Sequence, residues 1–410
     1  MKSINIGIIG LGQRGKIMLD TIITSFDDIK IGFVCDGYED RTLWGKNEVE
    51  KMCGYKPNTT CDPYELIKSE YLDCVMIFAS WEAHIPLAVE AMKAGKIVGL
   101  EVGGAYSVED CHKLVKTYED TKTPIMMLEN CCYGKYELML LDIMREKKFG
   151  TISHCTGAYG HDLRSEIAGG IKNRHYRLRN YISRNCDNYP THSLGPIAKL
   201  LGINNGNRMV SLVSVASAAN GMTEYIRRKF PDDEHLVNTK FAQGDIVTSI
   251  IKCVNGETIT LTLDTTLPRF YSRGLTVRGT LGGFCEDNRS VFFDDISISE
   301  ENEFDWKVQW GNAEKYFEKN KPVLWEKFGN YAKQTHHDGM DYMVLRAFFD
   351  SVKNGNKMPI DVYDTATWMA VTALSEISIA NNTFVDIPDF TNGEWAKIKK
   401  AKDEFSLCLY

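Results

Sequence analysis

The sequence predicts an α/β protein: a doubly wound parallel sheet at the N-terminus, then an α+β domain with an open, mostly antiparallel sheet. Three observations carry this reading. Residues 1–130 alternate short apolar runs with helical stretches, as a parallel sheet requires. A glycine turn, Gly10-Leu11-Gly12-Gln13-Arg14-Gly15, joins the first run to the first helix. From Thr151 onward the runs lengthen and alternate apolar with polar residues, the pattern of a sheet with one covered face.

The first run, Ser3 to Ile9, is apolar and β-rich, and a helical stretch, Lys16 to Thr24, follows the turn. Gly10 makes the tight turn, Gly12 lets the backbone approach a pyrophosphate, and Gly15 lets helix close on strand. The helix N-terminus adds free N–H groups and a positive dipole end. A second apolar run, Ile29 to Val34, ends at Cys35-Asp36. An acid about 20 residues past the third glycine is where the adenosine ribose hydroxyls would be held. Strand, turn, helix and acid together describe a Rossmann domain for NAD. Asp36 would repel the 2′-phosphate of NADP.

Further along, Pro63 to Lys68 reads as a short helix and Asp73 to Ala79 as a buried strand. Ile85 to Ala94 is a helix stopped by Gly95, and Ile97 to Glu101 is the next strand. Ser107-Val108-Glu109-Asp110 opens a capped helix, and Pro124 to Glu129 is one more strand. The first domain is therefore 1–130 and the second 131–410. In the second, Lys135 to Lys147 is helical, and Thr151 to Gly160, Arg208 to Ser217 and Asp245 to Leu267 are the long strands. Asn255-Gly256 marks a hairpin. Ser165 to Asn188, rich in arginines, reads as a loop region over a site. Met340 to Lys353 and Thr365 to Asn381 return to helix. The substrate is expected in the cleft between the domains.

Composition narrows the function classes. The 410 residues are 43% apolar and carry a net charge of −7 with no long run of one sign, which argues against nucleic acid. No stretch is long and apolar enough for a membrane span. The first strand leaves no room for a leader peptide, so a cytoplasmic protein is expected. The twelve cysteines show no C-x-x-C pair and read as reduced thiols rather than a disulfide or zinc framework. No cluster has metal-ligand spacing. The partners expected are a small molecule and further copies of the chain.

Several motifs resemble the sugar-oxidising Gfo/Idh/MocA family. Its generic members carry Glu-Lys-Pro at the end of a strand, with a lysine that assists hydride transfer, and later Asp-x-Gly-x-His. Here the first is Leu100-Glu101-Val102-Gly103-Gly104, with the acid kept and the lysine gone. The second is Asn188-Tyr189-Pro190-Thr191-His192, with the histidine kept. Those departures resemble the glycoside hydrolase family 109 branch, whose α-N-acetylgalactosaminidases hydrolyse a sugar with bound NAD. Other resembling stretches are Leu128-Glu129-Asn130-Cys131-Cys132-Tyr133-Gly134, Gly157 to Arg164, Pro268 to Ser272, Gly339-Met340-Asp341-Tyr342, Val362-Tyr363-Asp364 and Leu374 to Ser378. Two places differ from that branch: Gly103-Gly104 replaces a proline-containing turn, and His337-Asp338 precedes Gly339 where a glycine is usual.

The resemblance implies a redox-neutral glycosidase. NAD takes hydride from sugar C3, the ketone acidifies C2–H, the glycosidic oxygen is eliminated, water adds to C1 and the hydride returns, an exception to two-carboxylate glycosidases. Tyr189 and His192 are the implied acid/base pair. Glu129, Tyr159, His161, Arg177 and Tyr271 are the implied sugar ligands. Gly10, Gly12, Gln13, Arg14, Gly15, Asp36, Trp81, His84, Glu101 and Asn130 are the expected cofactor residues, with Trp81 and His84 bordering the nicotinamide. Without the motifs, Tyr159 reads as a packing residue, His175 and His154 as satisfied polar groups, and Arg174, Arg177, Arg179 and Arg184 as a solvated face. A net NAD-dependent sugar or cyclitol dehydrogenase is the alternative, weakened by the missing lysine. A nucleotide-bound regulator without turnover is a third reading.

Overall fold

A computed structural model describes residues 3–294, 307–333 and 335–397. The first sheet is built from β1 (Ile4–Ile9), β2 (Ile29–Cys35), β3 (Asn58–Thr60), β4 (Cys74–Ile77), β5 (Ile97–Leu100) and β6 (Ile125–Met127). Its order is β3-β2-β1-β4-β5-β6, and all the pairings are parallel. Ile6, Ile8, Val75, Met76 and Ile77 are wholly buried, as strands covered on both faces demand. The strand order reverses between β1 and β4, which opens a crevice at their carboxyl ends. The glycine turn and the helix Gln13–Ser25 lie at that point.

Local chemistry sets the helix ends. Ser107 caps the helix Val108–Thr121, its hydroxyl accepting the Asp110 N–H at 3.1 Å. The helix Trp81–Lys93 starts earlier than the sequence suggests, because it runs on through Pro86 and forfeits one backbone bond there. The helix Glu39–Cys53 was not foreseen. Its charged sequence buries only Thr42, Gly45 and Val49, too weak an apolar stripe to read.

The second sheet holds β7 (Ile152–Gly160), β8 (Met209–Ala216), β9 (Ile246–Cys253), β10 (Thr258–Asp264), β11 (Thr276–Gly279), β12 (Gly282–Cys285), β13 (Ser290–Phe293) and β14 (Val385–Asp386). The order is β13-β12-β11-β7-β10-β9-β8-β14. Only β7 and β10 run parallel; the other pairings are antiparallel. Ile259, Leu261 and Leu263 of β10 are buried while the intervening threonines are not, so one face is covered. The β9–β10 turn carries Gly256 at φ +103°, a conformation open to glycine.

By packing, one unit runs to Gly134 and resumes over Val323–Ala366, and the other holds Lys135–Pro322 and, among the described residues, 367–397. The sequence reading set a single boundary at 130 and did not foresee the return of Val323–Ala366. Residues Ser165 to Asn188 are also not a plain loop. They contain the helix Arg177–Ser183 and most of the helix Arg164–Ala168, and two of their arginines, Arg177 and Arg184, meet acids instead of water. Among the described residues no helix is long and apolar enough to cross a membrane.

Candidate functional site

The first unit carries the dinucleotide features. Gly10 has φ +95°, and a side chain there would meet the backbone of Phe78 and Ala79 at 2.6 Å. A side chain at Gly15 would overlap the Gly10 carbonyl at 1.9 Å, so strand and helix close only on glycine. Gly12 is different: a Cβ there would have nothing nearer than an Arg41 nitrogen at 3.7 Å. The space over the helix N-terminus is left open, and the first-turn N–H groups have no intrahelical acceptor.

Asp36 ends β2 and is buried. Its carboxylate accepts the Leu11 N–H at 2.7 Å and the Tyr38 N–H at 3.0 Å, with Arg41 at 3.8 Å. The acid is thus fixed beside the glycine turn. Arg41 also lies over the Tyr38 ring at 5.0 Å.

Arg14, Glu101 and Asn130, far apart in sequence, come together around Asp341, a residue with no role in the sequence analysis. Arg14 Nε donates to Glu101 at 3.0 Å, and its two terminal nitrogens donate to Asp341 at 2.8 and 2.9 Å. Asn130 donates to the same Asp341 at 2.8 Å, and His337 Nδ1 is 2.8 Å from its other oxygen. Burial raises the Asp341 pKa, but the Arg14 charge and the His337 and Arg14 hydrogen bonds more than offset it and hold the carboxyl well below the usual range. Glu101 moves the other way: burial and the Asp341 charge raise it against the pull of Arg14. The signal for Asp341 was its place in Gly339-Met340-Asp341-Tyr342, but its partner lies 327 residues away.

Trp81 and His84 stand on the first turn of their helix, buried, with Gly103 against both. His84 Nε2 is 3.0 Å from the Ala79 carbonyl, so that nitrogen carries the proton. Burial pulls the ring down to about 4, and it is neutral. Its Nδ1 is then a buried acceptor with no hydrogen-bond partner among the described residues. An acceptor left so is one a ligand N–H or O–H would satisfy. Together with the open space over Gly12 and the fixed Asp36, it fits a dinucleotide. Val102, where a catalytic lysine would stand, is buried. Glu129 also belongs to this unit. It is fully buried, and its Oε1 accepts the Cys131 N–H at 3.1 Å.

The second unit gathers the remaining residues into one cluster. Tyr159 and His161 leave the end of β7, and the Tyr159 hydroxyl is 3.2 Å from His161 Nδ1. The Tyr159 ring lies 4.5 Å from Tyr189 and 5.5 Å from His192, centre to centre. Tyr189 and His192 meet at 4.9 Å with perpendicular rings. Tyr271 meets His161 edge-on at 5.3 Å and is half exposed. The Arg177 guanidinium stands 5.0 Å from the Tyr189 ring centre. The segment bearing Tyr189 is anchored just before it: Asp187 N–H donates to Ser375 at 2.9 Å, and Thr372 donates to the Asp187 carbonyl at 2.7 Å.

Charge in this cluster is concentrated. Arg177 is buried, and its Nε makes an ion pair with Glu166 at 2.5 Å. Burial works against its charge, but Glu166 and the surrounding tyrosines outweigh that, and it stays protonated. His161 is pulled down by burial and then by the Arg177 charge, so it is neutral at neutral pH. The solvated-face expectation is therefore corrected for two arginines: Arg177 is buried on Glu166, and Arg184 on Glu376 at 2.5 Å. His175 is satisfied, accepting the Arg177 N–H at 3.2 Å. The sequence reading missed Glu166; an acid in an arginine-rich stretch was the available signal.

Residues 4–128 match the oxidoreductase family with an NAD-binding Rossmann fold, and residues 133–397 match the glycosyl hydrolase 109 C-terminal domain. The chain is 35% identical to an alpha-N-acetylgalactosaminidase of Tannerella forsythia, covering 95% of this chain and 86% of that one. It is 34% identical to another of that name from Shewanella oneidensis, covering 97% and 87%. A myo-inositol 2-dehydrogenase of Lactobacillus plantarum shares the fold, with TM-score 0.65 over 94% of this chain and all of that one, at 16% identity. The cofactor of the first unit is NAD. With both of its domain matches in sequence order and relatives alike over nearly its whole length, the chain belongs to glycosyl hydrolase family 109.

Proposed function

We propose that the protein is a glycosidase that cleaves α-N-acetylgalactosaminides or related glycosides without net redox change. The observation that carries this is the cluster of Tyr159, His161, Arg177, Tyr189 and His192, set in the family 109 part of the chain, together with the buried Val102. NAD, when bound, supplies a reversible hydride acceptor at sugar C3, which makes C2–H acidic while the ketone lasts. Gln13, Arg14, Asp36, Trp81, His84, Glu101 and Asn130 hold that cofactor, with the glycines of the turn.

Tyr189 and His192 move the protons, at C2 and at the glycosidic oxygen, the kind of task a placed phenol and imidazole perform. Neutral His161 and the Tyr159 hydroxyl, already hydrogen-bonded to each other, hold sugar hydroxyls, with Tyr271 at the rim. Arg177 supplies fixed positive charge where an oxyanion develops.

The test is an assay of purified protein on p-nitrophenyl glycosides, with and without added NAD+. Phenol release without accumulating NADH is expected. NADH formed in proportion to product would replace this reading with the dehydrogenase, and no turnover of any glycoside would remove it.

A further inference from the structure

Glu166 stands outside every role assigned so far. It lies on the short helix Arg164–Ala168, and one of its carboxylate oxygens stands close to two cationic or polar groups. Arg177 Nε is 2.5 Å away and His175 Nε2 is 3.5 Å away. The His175 tautomer is set by its other nitrogen. Nδ1 accepts the Arg177 backbone N–H at 3.2 Å, so the neutral ring carries its proton on Nε2, toward Glu166. Acid, imidazole and guanidinium thus cluster around the start of the helix Arg177–Ser183.

The far side of the guanidinium faces Tyr189 at 5.0 Å. A cation over an aromatic face is attracted by the ring, and far more by a phenolate than by a phenol. Among the groups facing Tyr189 in its unit are Tyr159, His192 and Arg177, with Asp187 on its own backbone N–H and His161 and Glu166 one contact further out. Of these, Arg177 and Glu166 form the charged pair. A buried arginine keeps its place only while a carboxylate offsets its desolvation.

We propose that Glu166 is a positioning residue that holds Arg177 against Tyr189 and so governs how readily the Tyr189 phenol gives up its proton. This rests on the reading of Tyr189 as the proton-transfer group. The carboxylate has two opposed effects. It keeps the guanidinium under the ring, which favours phenolate, and it offsets part of that charge, which favours phenol. Substitutions that separate the two effects should move Tyr189 in opposite directions.

The test is a near-ultraviolet phenolate titration of the full chain from about pH 6 to about pH 12, each variant read against the same variant carrying Tyr189→Phe. Glu166→Gln keeps an acceptor for Arg177 and removes the charge, so the Tyr189 transition should fall by about one pH unit. Glu166→Ala frees Arg177, and the transition should rise. Glu166→Asp, which restores a carboxylate, should return it toward wild type. The rate limb in kcat/KM should move in step. A transition that stays put in Glu166→Gln, or that falls as far in Glu166→Asp as in Glu166→Gln, overturns the proposal, and those two variants decide it even where Glu166→Ala does not fold. If Tyr189→Phe itself turns over like wild type, it is the role of Tyr189 that fails; the titration still reports on Glu166.

Discussion

Asp341 grips Arg14 with both carboxylate oxygens, at 2.8 and 2.9 Å, and its own side chain is fully buried. A residue of the returning segment thereby fixes a residue of the glycine turn. Breaking such a buried pair leaves an uncompensated charge and costs ~3–5 kcal/mol. Asp341→Ala should therefore weaken NAD+ binding by at least about tenfold and lower Tm, whereas Asp341→Glu should recover part of both. Calorimetric titration with NAD+ checks this; unchanged affinity would make Asp341 irrelevant to the cofactor.

Two glycines of the turn should behave in opposite ways. Gly15→Ala puts a carbon 1.9 Å from the Gly10 carbonyl and should cost stability in the absence of any ligand. Gly12→Ala meets nothing nearer than 3.7 Å and should fold with an unchanged Tm, yet bind NAD+ less tightly. Paired melts with and without NAD+ separate the two. A Gly12→Ala protein with full affinity would show that the backbone there does not approach the cofactor.

Tyr189→Phe should reduce turnover by ~10²–10⁴-fold, the usual range for a placed proton-transfer group, with NAD+ affinity kept. His192→Ala should lose as much or more. In heavy water the sugar should gain deuterium at C2 during wild-type turnover. Full turnover with hydrogen retained at C2 would exclude oxidation and elimination as the route.

Asp187 is fully buried, and desolvation lifts its carboxyl to about 7, eased only by the Tyr189 N–H it accepts. Because the folded value lies above the unfolded one, its contribution to stability is complete below about pH 4 and is lost as pH rises through about 7. Asp187→Asn keeps an acceptor for that N–H and never ionises. Its Tm advantage over wild type should widen from about pH 4 to about pH 7 and then level off. A gap that does not change with pH would mean that Asp187 is not held protonated.

Much of the fold could be read because its signals are local. The glycine turn, the Ser107 cap and the Asn255-Gly256 hairpin each lie within a few residues, and the apolar runs of β1, β4 and β5 need no partner to be seen. The helix Glu39–Cys53 and the short strands β11–β13 had no such mark. The site divides in the same way. Tyr189 and His192 could be named from one five-residue motif. Glu166 and Asp341 could not, because their meaning lies in what faces them. Glu166 gains its role from Arg177 standing under Tyr189, and Asp341 from a guanidinium at the other end of the sequence. Arg177 and Arg184 were misjudged for the same reason: a charge count cannot show that a charge has an acid waiting.

The return of Val323–Ala366 to the first unit has a bearing on synthesis. A nascent chain emerging from the ribosome exposes the six-stranded sheet first, but the helix bearing Asp341 is still unmade. At ~5–20 residues per second, translation needs roughly 10–40 s to pass from Gly134 to Val323. Throughout that interval Arg14 and Glu101 lack their closing partner, and the unit is an unfinished one. A stalled or truncated product ending before Met340 should be prone to capture by chaperones or proteases, and the second unit is itself unfinished until its closing segment from Thr367 has been made.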